Sequence, residues 1–223
     1  MKRNVKLNGK ELTFDLPTEA DQSVFDEIYR DKEYRGVEGI LQNAKVILDL
    51  GAHIGLFSVY ASVLAAEGAK IYAFEPDERN FLIMKEHLKM NGVRNVQVKN
   101  VAVGAESGER ELYLSEDSHN HSFIGVGEGK KVRAASLPDI LRKNRLEKVD
   151  LVKMDIEGAE FEVMEALTGE DFSKIKSFYI EYHELTGEMR SSDLMKQLAV
   201  QGYTVERVFS NYDRKMGYLI ARR

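Results

Sequence analysis

Asp49-Leu50-Gly51-Ala52-His53-Ile54-Gly55 sets two glycines four residues apart at the end of an apolar run. Glycines there let the chain turn tightly and let a ligand approach the backbone with no Cβ in the way. A helix starting beyond them offers unpaired N–H groups. His53 stands where a G-x-G-x-x-G loop would carry its middle glycine. The loop therefore serves a dinucleotide pyrophosphate poorly but suits S-adenosylmethionine, a nucleoside without phosphate. Glu75 ends a second apolar run, 24 residues after Gly51, and Pro76 stops the strand there. A carboxylate in that place can accept hydrogen bonds from both ribose hydroxyls. Asn100-Val101-Ala102-Val103-Gly104 closes a third run, where the Asn100 amide and the backbone around Ala102 could line an adenine pocket.

Lys153-Met154-Asp155-Ile156-Glu157-Gly158-Ala159-Glu160 is the densest polar cluster on any core run. Alternation puts Lys153, Asp155 and Glu157 on one side, near the carboxyl end of a strand, where open α/β sheets bind ligands. Buried charges are costly unless they pair with one another or with a ligand. Lys153 reads as the structural partner of an acid, and Asp155 and Glu157 as acceptor-side groups. Glu181 and His183 share a face of the next strand. A histidine there can act as a base near neutral pH, or serve as a hydrogen-bonded strand end. Asp117, His119 and His121 are a metal-ligand inventory. Three such residues so close together in a polar loop suit solvent or substrate contact better, so no metal is assigned.

The elements that must position these groups follow from periodicity. Val46–Leu50, Ile71–Phe74 and Val96–Val103 read as buried parallel strands, with helices at 56–66 and 77–90 between them. Arg110–Leu114 and Lys131–Ala134 read as strands flanking a loop at 118–129. Ser136 caps a further helix, with Pro138 in its first turn. Asp150–Asp155 and Ser177–His183 return to strands, followed by helices at 159–167 and 192–199. The chain ends in two strands, Tyr203–Phe209 and Met216–Ala221, with no helix between them. That ending fits the seven-stranded, Rossmann-like class I methyltransferase sheet with helices on both faces, whose last strand is antiparallel. Ahead of this domain (37–223), residues 1–36 read as an appendage: a hairpin turning at Asn8-Gly9 and a helix after Asp21.

Composition narrows the function. The chain has 223 residues, 43% of them apolar, enough for a sizeable core. Lys and Arg number 32 against 37 Asp and Glu, for a formal charge of −5, which speaks against a general polyanion binder. The absence of Cys excludes disulfides, zinc thiolates and thiol nucleophiles. No apolar stretch is long enough to span a bilayer and no signal core follows Met1, so a cytoplasmic protein is expected.

In order and spacing, Asp49-x-Gly-Ala-x-x-Gly, Phe74-Glu75-Pro76, Asn100-x-Ala-x-Gly and Val152-Lys153-x-Asp155-x-Glu157-Gly158-x-Glu160 resemble the FkbM family of S-adenosylmethionine-dependent methyltransferases. The resemblance covers about Tyr34 to His183. It implies O-methylation of a hydroxyl on a small molecule or sugar. On this reading Asp49, Gly51, Ala52, His53, Gly55, Glu75, Pro76, Asn100 and Ala102 serve the cofactor, and Asp155, Glu157 and His183 serve the acceptor. His53 replaces the family's usual Asn, so a contact to the cofactor's methionyl end is altered. The middle loop, with His119, Asn120, His121 and Ser122, leaves the acceptor open. The competing readings are a nucleic-acid methyltransferase and a nicotinamide-dependent oxidoreductase. Net charge and the lack of an Asp/Asn-Pro-Pro-Tyr/Phe loop oppose the first, and the missing G-x-G-x-x-G opposes the second.

Overall fold

Asn8 and Gly9 both adopt positive φ, 47° and 80°, as a type I′ turn requires. The strands they join, β1 (Lys2–Leu7) and β2 (Lys10–Asp15), pair antiparallel. A computed structural model describes residues 1–113, 129–184, 190–209 and 215–223. Helix α1 spans Glu19–Tyr29, starting three residues before the helix expected after Asp21, because Thr18 is its N-cap. Thr18 Oγ1 accepts from the Asp21 N–H at 3.0 Å, and the Asp21 carboxylate accepts from the Thr18 N–H at 2.9 Å. Asp21 is thus the third helical residue of a capping box. A 3₁₀ turn (Glu33–Val37) and the short helix α2 (Glu38–Leu41) follow.

The main alternation comprises β3 (Val46–Leu50), α3 (Leu56–Leu64), β4 (Lys70–Phe74), α4 (Glu78–Met90) and β5 (Val96–Lys99). It continues through β6 (Ala102–Gly104), β7 (Gly108–Tyr113), β8 (Gly129–Ser136), α5 (Leu137–Lys143), β9 (Leu151–Met154), α6 (Glu160–Glu165) and α7 (Gly169–Lys174). The chain closes with β10 (Ser177–His183), α8 (Ser191–Val200), β11 (Thr204–Phe209) and β12 (Met216–Arg222). Seven strands form one sheet in the order β11-β12-β10-β9-β3-β4-β5, in which β12 runs antiparallel to both its neighbours. Leu48 and Leu50 pack in one buried cluster with residues of α5, α6 and α8. Ile47 packs in the other, with α1, α3 and the hairpin. This is the period-2 alternation of a sheet covered on both faces.

Two elements differ from the sequence reading. The expected single strand at 96–103 is two, β5 and β6, and they belong to different sheets; β6 pairs with β8 in a smaller sheet with β7. Asn100 makes the break by donating its amide to the carbonyls of Glu75 and Pro76, both at 2.9 Å. The helix expected at 159–167 ends at Glu165, and α7 follows from a second capping box, Thr168 with Asp171. Strand β7 is described only to Tyr113, and Asp117, His119, His121 and the rest of their loop up to 128 lie outside the described residues.

The N-terminal segment is bolted to α4. Asn91 exchanges side-chain hydrogen bonds with the Thr13 backbone, both at 2.8 Å. The buried His87 ring donates from Nδ1 to the Ile54 carbonyl at 2.8 Å and accepts the Asp15 N–H on Nε2 at 3.0 Å. Acceptance on Nε2 requires a neutral ring, and burial lowers its pKa from 6.5. The unfolded chain therefore binds the proton more readily, so this contribution is present above the unfolded value and is lost as pH falls. We expect melting temperature to decline below about pH 6.5, with a shallower decline in His87→Gln; identical profiles would remove His87 from the acid response.

Candidate active site

The carboxyl ends of the parallel strands meet in register, Leu50 opposite Phe74 on one side and Met154 on the other. Chain order reverses direction at β3, and ligands of open α/β sheets bind at such a switch point. A cavity of about 660 Å³ opens there, within the usual range for small-molecule sites. Gly51, Ala52, His53, Glu75 and Pro76 line it, together with Asp155, Glu157 and Glu181. From α1, Val24, Glu27 and Ile28 complete the wall.

The glycine loop is fitted tightly to its neighbours. At Gly51 (φ +77°) an added Cβ would lie 1.7 Å from the Asp155 carbonyl oxygen, and at Gly55 (φ +82°) 2.6 Å from Met84 Cγ. Gly51 thus allows two strand-end loops to touch, and Gly55 seats α3 against α4. The Gly51 and Ala52 N–H groups both bond the Phe74 carbonyl, at 3.1 and 2.9 Å. The His53 N–H (φ 49°) donates to Glu75 Oε2 at 2.8 Å, and the Asp77 N–H to Oε1 at 2.8 Å. Each oxygen of this 5%-exposed carboxylate is therefore fixed by one backbone donor and keeps a further acceptor position. Burial pushes its pKa up to about 7. The His53 ring turns away to α1, where Nε2 lies 3.4 Å from Asp21 Oδ1. Tyr29 adds a hydrogen bond to the Leu56 carbonyl at 3.1 Å.

Four residues expected at the cofactor stand elsewhere, Gly55 among them, since it packs against Met84 and does not line the cavity. Asp49 is wholly buried; its carboxylate accepts from Ser58 Oγ at 2.6 Å and faces Lys153 Nζ at 3.6 Å. Asn100 is occupied with the Glu75-Pro76 corner, and Ala102 is buried in β6; neither lines the cavity. Asn80 on α4 does line it, and no sequence pattern marked that residue.

Lys153 ties the strand ends together. Its ammonium donates to the Gly51 carbonyl at 2.8 Å and lies 3.4 Å from Asp155 Oδ2, with only 4% of the side chain exposed. Asp155, 28% exposed, reaches the cavity. Beyond it the chain turns through positive φ at Glu157 (52°) and Gly158 (96°). The buried Glu160 carboxylate holds that turn by accepting the Ile156 and Gly158 N–H groups at 3.0 and 2.9 Å.

His183, expected as a base near neutral pH, stands among three carboxylates. Nδ1 lies 3.3 Å from Glu160 Oε1, and Nε2 lies 3.4 Å from Glu157 Oε2 and 3.9 Å from Glu181 Oε1. Burial opposes the charged ring, but these carboxylates outweigh it and raise the pKa to about 10. These neighbours favour the protonated ring in the absence of a ligand. Burial likewise raises Glu157 to about 8 and holds Glu181 well above the usual carboxylate range. Glu33, on the 3₁₀ turn, also reaches the cavity and accepts from Tyr179 Oη at 3.3 Å. Burial brings it up to about 7.

A parallel sheet closed by an antiparallel last strand, with a cavity at its switch point and an acid ending the second parallel strand, defines the Rossmann-like class I methyltransferases. The crystal structure of Aeropyrum pernix fibrillarin with natively bound S-adenosyl-L-methionine has this fold. It aligns with TM-score 0.55 and 15% identity over 99% of this chain and 82% of its own. Residues 49–205 match the methyltransferase FkbM domain. The chain belongs to that family and is a methyltransferase. It is 24% identical to the 31-O-demethyl-FK506 methyltransferase FkbM of Streptomyces tacrolimicus, over 82% of each chain. It is also 24% identical to the hexuronic acid methyltransferase AglP of Haloferax volcanii, over 91% of this chain and 83% of that one. Among the described residues no helix is long and apolar enough to cross a membrane.

Proposed function

We propose that the protein is an S-adenosylmethionine-dependent O-methyltransferase acting on a hydroxyl of a small molecule or sugar. The observation that carries this reading is Glu75, whose two oxygens are held at the cavity edge by backbone donors and retain acceptor positions for a ribose diol. When bound, S-adenosylmethionine supplies a methyl group already activated by its sulfonium. Gly51, Ala52, His53 and Pro76 shape the cofactor end around Glu75. Asp155, the carboxylate between Lys153 and the cavity, orients the acceptor hydroxyl and receives its proton on a carboxylate oxygen. Glu157 and His183 support the turn that carries Asp155. The names of the two relatives, one a 31-O-demethyl compound's methyltransferase and one a hexuronic acid's, support a hydroxyl-bearing acceptor. A nucleic-acid acceptor is disfavoured because the cavity is lined by carboxyl groups, Glu27, Asp31 and Asp155 among them, and Lys153, the basic side chain beside them, is already paired.

Calorimetry with S-adenosylmethionine and with NAD tests the cofactor assignment; binding of NAD alone overturns it. Hydrogen bonds to a charged group contribute about 1.5–3 kcal/mol each. Loss of even one of the two ribose bonds in Glu75→Ala is therefore expected to weaken cofactor affinity roughly 10–100-fold, and an unchanged isotherm would refute the role of Glu75. Incubation of the protein with methyl-labelled cofactor and cell extract then identifies the acceptor from the labelled product.

A further inference from the structure

We propose that Asp155, Glu181 and His183 form a divalent-cation site at the acceptor end of the cavity. One donor atom from each lies within 4.8 Å of the other two. An ion bound at about 2.0–2.3 Å places its donors roughly 3–4.3 Å apart, so side-chain shifts of a few tenths of an ångström close the site. The residues come from the ends of neighbouring strands: Ile180 pairs with Met154, which brings Glu181 alongside Asp155.

A second observation concerns the histidine. His183 is 97% buried as a side chain, and Nδ1 is directed at Glu160, which fixes the ring. Nε2 is buried and makes no hydrogen bond; it is aimed at the oxygens of Glu157 and Glu181. A metal-binding histidine is commonly held in this way, with the second nitrogen on a carboxylate. Two carboxylates and one imidazole suit Mn²⁺ or Mg²⁺ with open positions, and Asp155 and Glu181 face the cavity, where acceptor hydroxyls could fill those positions. The place of the ion in the reaction rests on the function proposed above; its binding does not.

The test is a Mn²⁺ titration of the metal-stripped full chain, read by the loss of the free-ion EPR signal and by broadening of histidine ring resonances. We expect saturable binding of one ion per chain below millimolar concentration, with the His183 ring broadened first. Glu181→Gln should weaken binding roughly tenfold or more while its circular dichroism stays that of the wild type. Should that variant not fold, the wild-type broadening pattern decides alone. Absence of saturable binding, affinity unaffected by Glu181→Gln, or broadening confined to His119 and His121 would overturn the proposal. Calorimetry of S-adenosylmethionine on the metal-free protein separates the two ideas. Cofactor binding without Mn²⁺ binding defeats only the cation site, and the reverse defeats only the methyltransferase cofactor assignment.

Discussion

Lys153→Met is expected to lower the melting temperature by roughly 6–20 °C. The Lys153 side chain is 4% exposed and its ammonium stands between Asp49, Asp155 and the Gly51 carbonyl. Deleting one member of a buried charge set leaves the others uncompensated, at a cost of about 3–5 kcal/mol. For a chain of this size each kcal/mol is worth about 2–4 °C. Asp49 suffers most, since it is wholly enclosed and burial already raises its pKa. The double variant Lys153→Met/Asp49→Asn should recover part of the loss. Calorimetric melting of the single and double variants checks this, and a shift under 2 °C in the single variant would show that the charges are screened by solvent.

Asp155→Asn is expected to reduce turnover about 10²–10⁴-fold, the range of a missing proton acceptor, with cofactor affinity within about twofold of the wild type. Asparagine keeps the shape and can still meet Lys153, but it cannot receive the hydroxyl proton. Glu75 is held by the His53 and Asp77 N–H groups and Asp155 by Lys153, so the two variants should separate cleanly: Asp155→Asn falls in kcat, Glu75→Ala in cofactor binding. Single-turnover rates with labelled cofactor, paired with calorimetry, measure both. Full turnover in Asp155→Asn would remove that residue from the chemistry.

Much of the fold was legible because its signals are local. The strand at 46–50 read from a continuous apolar run, the turn at Asn8-Gly9 from two residues, and the helix-free ending from the last twenty. The segments around Gly51, Glu75 and Asp155 were legible as neighbours of one cavity because each ends a parallel strand. What could not be read were pairings between ordinary residue types far apart in the chain. Nothing near Asp21 announces His53, nothing near Asp15 announces His87, and Glu33 has no pattern that carries it to Tyr179. Asn100 was marked as a site residue, yet the direction of the chain after β5 sends its amide to two carbonyls. His183 was recognisable at its strand end, but its proton depends on Glu160, brought 23 residues back by the α6 turn. The Thr168-x-x-Asp171 box was readable and would have placed α7.

Because α1 both walls the cavity and grips the glycine loop through Asp21 and His53, occupancy and the seating of the first forty residues share one free energy. A molecule that needs this wall binds only while the segment is seated. At a hundredfold excess over Kd it would oppose detachment by about 2.7 kcal/mol. Cleavage in this segment by a protease acting on the detached form would then slow up to about a hundredfold, making the N-terminus a built-in reporter of whether the enzyme is loaded.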